Sequence, residues 1–437
     1  MRSGPTRHIV HSVNMSLLVM LALFLLLFGA VSGRLHTTLL TAPMVFVLFG
    51  MAIGSAGLGL FAFDFGSEVF AMITEITLVL VLFADAARID LRSLLREQDL
   101  PIRMLTVGLA LTIAVGTWLA LVLFAELALW EAAILAVILT PTDAALAQSV
   151  ISSPKLPVRI RQALNVESGL NDGVALPLLI LFLVLSGHFT GHRDANLARF
   201  AAMQLLFGPL VGVAVGFLGG KLLLTCHRRG WIDHSFLSLS AVALAILAFS
   251  GAELVGGNGF IAAFAAGFTI GNCAREVCMT LYNFAEAEGQ LLVLFVFVVF
   301  ASSMVPAVLP LLTWQMLIYA LLSLSVVRML PVALSLLGTK LMWETHVLLG
   351  WFGPRGIASI IYVLIVLGEA ELPGQATILA VSVVTILASV LLHGVSAVPL
   401  TRWYARMVED MKHDDTAETP AMPEMKPVSD MRTRRSG

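Results

Sequence analysis

The chain has 437 residues, 59% hydrophobic and 12% charged, with a formal net charge of −2 and a mean hydropathy of +0.94. A soluble domain carries about 45–50% apolar and about 25% charged residues, so the composition excludes one and describes a polytopic membrane protein. With 26 Lys and Arg against 28 Asp and Glu there is no basic excess for nucleic acid, and the 3 cysteines, with no ligand-like spacing to a histidine, are ordinary small apolar residues.

Apolar runs long enough to cross about 30 Å of hydrocarbon recur without the alternation of an outer-membrane barrel, so an all-α architecture is expected. Punctuation by Pro, Gly and charge predicts about thirteen helices, near 14–32, 38–56, 68–88, 102–124, 127–148, 158–187, 198–225, 235–252, 257–273, 286–303, 309–337, 343–368 and 374–400. The first follows Arg2, Arg7 and His8 as a cleaved signal would, but its long apolar core and the spans behind it favour an uncleaved helix. Residues 1–403 are expected to form the transmembrane domain. Residues 404–437, mixed in charge and holding Pro420, Pro423 and Pro427, are expected to be disordered.

Odd-numbered loops collect the cations, among them Arg34, Arg88, Arg92, Arg96, Lys155, Arg159, Arg228, Arg229 and Lys340, whereas even-numbered loops have Arg193 and Arg199. By the positive-inside rule the N-terminus lies outside and the tail is cytoplasmic, although Arg2 and Arg7 locally oppose that orientation. The spans divide as six, one and six, with the two sixes in opposite orientation, which is the inverted-repeat plan of many secondary transporters.

That plan demands interruptions at matching places, and the fifth helix of each half supplies them: "ILTPTDAAL" in helix 5 and "GWFGPRGIAS" in helix 12. Pro141 has no N–H for the Val137 carbonyl and Pro354 none for that of Gly350, so both helices should open and cross as discontinuous helices. Asp143 and Arg355 then suit a pair of exposed helix ends, the acid toward positive N-termini and the base toward negative C-termini.

Helix 6 carries "NVESGLNDG". Glu167 and Asn171 are four apart, as are Ser168 and Asp172, so the two pairs form adjacent stripes on one sector, while Gly169 and Gly173 admit a neighbouring backbone. An ionised group at mid-membrane costs about 2.5–3.5 kcal/mol, which three acids exceed and one Arg cannot offset. A Glu167–Arg355 salt bridge is the structural alternative for Glu167, and leaves Asp172 unneutralised. On helices 3 and 11, Asp85, Glu75 and Arg328 are expected to form supporting pairs, or, for Asp85 and Arg328, to snorkel. Glu253, Glu286 and Glu288 read as solvated span ends. The small residues of "GNGFIAAFAAGFTIGN" read as close packing, with Asn258 and Asn272 as caps.

Oxygens from Asp172, Glu167, Ser168, Thr142 and freed carbonyls suit a hard monovalent cation, and a desolvated carboxyl group also holds a proton near neutral pH. One site with two competing occupants is the minimum machinery for exchange.

Through "TPTDAALAQSV", "NVESGLNDGVALP", "GNGFIAAFAAGFTIGN" and "GPRGIAS", in that order over most of residues 14–400, the chain resembles the monovalent cation:proton antiporters of the NhaP and sodium/proton exchanger branch. The resemblance implies that Asp172 alternately holds a proton and a cation beside the neutral Asn171, with Glu167 and Ser168 at or beside the ion and Thr142 lending oxygen. Asp143 and Arg355 would balance the crossed breaks. It further implies a core domain of helices 3–6 and 10–13, a dimerisation domain of the remaining helices, a homodimer, an elevator-like motion and, from the Asn-Asp pair, electroneutral exchange. One departure from the usual Thr-Asp-Pro order is that Ala144 follows Asp143 and the proline lies upstream at 141.

The function expected is therefore one-for-one exchange of sodium or lithium for protons across the cell (inner) membrane, among lipids and with no cofactor. Potassium in place of sodium is the nearest alternative. A membrane-embedded aspartyl protease gives the breaks and Arg355 no role, and a cation channel suits a carboxylate that must be neutralised to cross less well than alternating access.

Overall fold

A computed structural model describes residues 15–35, 38–60, 68–87, 89, 91, 99–151, 153, 155–188 and 197–410. Arg2, Arg7, Arg88, Arg92, Arg96, Arg193 and the tail beyond 410 lie outside them.

The described chain is helical from end to end, in the order α1 (Met15–Leu35), α2 (Ala42–Ile53), α3 (Glu68–Ala87), α4 (Asp99–Leu123), α5 (Leu129–Ile138), α6 (Ala144–Ile151), α7 (Val158–Leu185) and α8 (Leu197–Arg228). There follow α9 (His234–Leu254), α10 (Gly259–Cys273), α11 (Arg275–Val299), α12 (Trp314–Leu324), α13 (Val326–Ser335), α14 (Trp343–Trp351), α15 (Ile357–Glu369) and α16 (Gln375–Asp410). Among these residues 7 helical stretches are long and apolar enough to cross a membrane, so the protein is a multi-pass membrane protein.

Predicted helices 5, 11 and 12 each appear as two pieces. Helix 5 becomes α5 and α6 around Leu139–Asp143, and helix 12 becomes α14 and α15 around Phe352–Gly356. The third interruption was not expected: at Ser325 (φ −109°, ψ −92°) the chain jogs between α12 and α13, six residues before Pro331.

Close packing explains the small residues of α10. A Cβ on Gly267 or Gly271 would overlap the carbonyl oxygens of Phe83 and Ala87, so α3 lies against α10 at a distance only glycine permits. The N-cap expected at Asn258 is present, its Oδ1 accepting from the Ile261 N–H at 3.0 Å. Asn272 does otherwise: its Oδ1 accepts from Leu91 N–H at 2.9 Å and its amide donates to Ile89 O at 2.9 Å, tying down the strand of chain beyond α3.

Two boundaries move. The tenth helix begins at Arg275 rather than near 286, because Glu288 stays exposed and a carboxylate can end an apolar run without ending a helix. Glu253, read as solvated, is exposed but accepts from Gly259 N–H at 2.8 Å at the start of α10. The last helix continues to Asp410, past the boundary placed at 403. Tyr404 is fully buried there and shares a 2.8 Å hydrogen bond with Thr345 of α14.

Candidate functional site

The two interruptions lie against each other. The Asp143 N–H donates to the Pro354 carbonyl at 2.8 Å, so the displaced Pro141 still opens helix 5, over the five residues Leu139–Asp143. The Asp143 carboxylate then serves two helix starts. Oδ2 accepts from Ile357 N–H at 3.0 Å at the head of α15, and Oδ1 from Leu146 N–H at 3.4 Å at the head of α6. Gly356 makes the approach possible, since a Cβ there would overlap that carboxylate.

Arg355 is fully buried and does the converse. Its guanidinium donates to Thr140 O at 2.7 Å and Pro141 O at 3.3 Å, carbonyls that the end of α5 leaves free. Acid at N-termini and base at a C-terminus is the arrangement the sequence led us to expect.

Helix α7 closes the other side of the first break. Ser168 Oγ donates to Thr142 O at 2.5 Å and the Asn171 amide to Thr140 O at 3.2 Å. Glu167, one residue from Ser168, is 1% exposed and takes Arg328, also 1% exposed, at 2.5 Å. This corrects two expectations. Glu167 does not pair with Arg355, whose Nη1 is turned to the Thr140 and Pro141 carbonyls, and Arg328 does not snorkel; the jog at Ser325 precedes it by three residues in the helix that delivers it.

Asp172 is buried, and the bond described for it is to its main chain, whose carbonyl accepts from Tyr362 OH at 2.8 Å. Four buried oxygens on the residues gathered here have no hydrogen-bond partner: Thr142 Oγ1, Glu167 Oε2, Asn171 Oδ1 and Asp172 Oδ1. Unpaired buried acceptors cost about 1–3 kcal/mol each, so four of them on residues gathered in one place are acceptors suited to an electropositive partner. Thr142 has committed its carbonyl to Ser168, which leaves its hydroxyl free. Asp85 on α3 is half-buried and faces Gly169: a Cβ on that glycine would lie 3.8 Å from Asp85 Cβ.

Three supporting groups escaped the sequence reading. Glu131 is 3% exposed and bridges two helix starts, accepting from Ala128 N–H at 2.8 Å and Gly374 N–H at 2.7 Å. Ser389 and His393 of α16 hold the second break from behind, Ser389 Oγ accepting from Arg355 N–H at 2.6 Å. Their signal was available: Ser382, Thr385, Ser389, His393 and Ser396 recur three or four apart along an apolar helix, a single polar seam.

Two interrupted helices meeting at buried carboxylates inside an apolar bundle define a secondary transporter. More narrowly, the chain belongs to the family "Sodium/hydrogen exchanger, transmembrane", whose model matches residues 19–403. It is 28% identical over 399 residues to the K(+)/H(+) antiporter NhaP of Alkalimonas amylolytica, covering 90% of this chain and 67% of that one. It is 24% identical over 314 residues to the probable Na(+)/H(+) antiporter C3A11.09 of Schizosaccharomyces pombe, covering 68% of this chain and 41% of the relative. The fold is that of the sodium proton antiporter MjNhaP1 from Methanocaldococcus jannaschii, with a TM-score of 0.74 at 20% identity over 90% of this chain and 99% of that one.

Proposed function

We propose that the chain exchanges a monovalent cation for a proton across the cell (inner) membrane, with Asp172 as the group that carries either. The four unpartnered oxygens on Thr142, Glu167, Asn171 and Asp172 carry this reading. Asp143 is spent on two helix starts and the charge of Glu167 on Arg328, which leaves Asp172 as the site carboxylate with no described cation beside it. In an apolar interior a carboxylate must be neutralised, by a proton or by a bound metal ion, before its helix can move. Exclusive occupancy couples the two gradients.

Sodium or lithium is the cation in the leading reading. The exchange is one-for-one and electroneutral, since Asn171 beside Asp172 adds no second charge. The K(+)/H(+) antiporters among the relatives favour a second reading, with potassium in the same oxygens. The two crossed breaks belong to inverted halves of a core domain that moves against a dimerisation domain in a homodimer, N-terminus outside and C-terminus cytoplasmic. Protease chemistry of the aspartyl kind is disfavoured, because Asp143 and Glu167 are engaged with helix starts and with Arg328 rather than sharing a proton with Asp172.

Reconstituted vesicles carrying a pH gradient test the reading. Sodium, lithium and potassium titrations should dissipate the gradient with the wild-type chain and not with Asp172→Asn, and an imposed membrane potential should drive no uptake. Wild-type exchange by the Asn variant would refute the role of Asp172; potential-driven sodium uptake would refute one-for-one exchange.

A further inference from the structure

We propose that His393 is a positioning residue for this exchange: with Ser389 it staples the end of α14 to the open backbone of the α14–α15 break and thereby fixes the Arg355 fork on the carbonyls of the other break. The proposal rests on the exchange reading but concerns a residue remote from the ion oxygens.

His393 is 1% exposed on α16. Its Nε2 lies 2.9 Å from the carbonyl oxygen of Trp351, the last residue of α14. A carbonyl only accepts, so Nε2 carries the hydrogen. In the neutral ring Nδ1 is then an acceptor. Nδ1 is 3.1 Å from Ser389 Oγ and 3.0 Å from Ser389 O, and of these only the hydroxyl has a proton to give. With its proton committed to the ring, Ser389 Oγ receives the Arg355 N–H at 2.6 Å. The directions are consistent throughout: Arg355 N–H to Ser389, Ser389 O–H to His393, His393 N–H to Trp351.

The two ends of this relay are the last carbonyl of one half-helix and an amide within the gap, groups an interrupted helix cannot satisfy for itself. Trp351 O already accepts from Gly353 N–H at 2.8 Å, and the imidazole takes its second lone pair. The ring is held in turn by the Trp351 indole, 5.0 Å away between centroids, whose N–H donates to Ser396 Oγ at 2.8 Å.

From Arg355 the chain of contacts runs on to Thr140 O and Pro141 O, and Thr140 O also receives Asn171. A shift of the Arg355 main chain therefore reaches α7 in two steps. An apolar side chain at 393 could fill the space but could not accept from Ser389 and donate to Trp351. A glutamine could do both from one planar amide.

His393→Leu, His393→Gln, Ser389→Ala and the Leu/Ala double variant should be compared by sodium-driven proton movement in vesicles at matched folded protein. Leu and Ala should each raise the half-saturating sodium concentration roughly three- to tenfold, the cost of one or two buried hydrogen bonds. The double variant should add little, as expected of residues acting in series. Gln should return the value toward wild type. Hydrogen–deuterium exchange of peptide 352–357 should quicken in the Leu variant and not in the Gln variant. Wild-type half-saturation in His393→Leu, or a Gln variant as impaired as Leu, would overturn the proposal by leaving His393 a packing residue or none. A wild-type chain that moves no proton against sodium, lithium or potassium would sink the exchange reading, while unchanged amide exchange in His393→Leu would sink the staple.

Discussion

The two breaks are matched in sequence position but not in what satisfies them. At 139–143 the freed carbonyls of Thr140, Pro141 and Thr142 take side chains from the second break and from α7: Arg355, Asn171 and Ser168. At 352–356 the open groups are held by Asp143 and by Ser389 and His393 of the last helix. In the exchange we propose, the first break is an oxygen source and the second its anchor. Matched sequence positions thus coexist with unlike partners, as the proposed exchange requires of a cation that needs acceptors from one side and a counterweight from the other.

Breaking the ion pair under the first break should have the largest effect. Arg328→Met leaves Glu167 as a buried carboxylate without a counter-ion, a loss of about 3–5 kcal/mol visible in thermal unfolding of the purified protein. Adding Glu167→Leu should recover most of it, since a packed apolar pair replaces the ionic one. If the single variant melts with wild type, Glu167 has another partner. Next comes Asp143→Ala, which uncaps α6 and α15 together and should cost ~1–2 kcal/mol by the same measurement, with Asp143→Asn losing less because an acceptor remains. An equal loss for Asn and Ala would make charge, not hydrogen bonding, the link between the breaks. Ser168→Ala is the mildest. It frees the Thr142 carbonyl at ~0.5–1.5 kcal/mol and should weaken sodium half-saturation while hardly moving the melting temperature.

Much of this arrangement was legible in sequence because it rests on covalent facts. Pro141 and Pro354 lack an N–H wherever they stand, and charges of opposite sign beside them can only suit opposite helix ends. The i,i+4 stripe of Glu167, Ser168, Asn171 and Asp172 follows from helical period alone, and all four are buried together. The partner of Glu167 was not legible. The sequence offered Arg355 for Glu167, and the choice of Arg328 instead depends on the jog at Ser325, where neither a proline nor a glycine stands. The anchoring role of α16 was missed for a related reason: one Ser and one His in an apolar helix are unremarkable singly, and their periodic seam acquires meaning only when the open backbone of 351–355 lies opposite. Glu131 stands in the first turn of α5, where an acid needs no further reason, and its reach to Gly374 is set by tertiary packing across 243 positions.

The central claim is that Asp172 holds a proton or a cation and never both. Sodium added to purified protein in weakly buffered solution at a pH where the site is protonated should release protons in proportion to sodium bound, close to one per site. Asp172→Asn should release none. Sodium binding without proton release by the wild-type chain, or undiminished release by the Asn variant, would contradict the account.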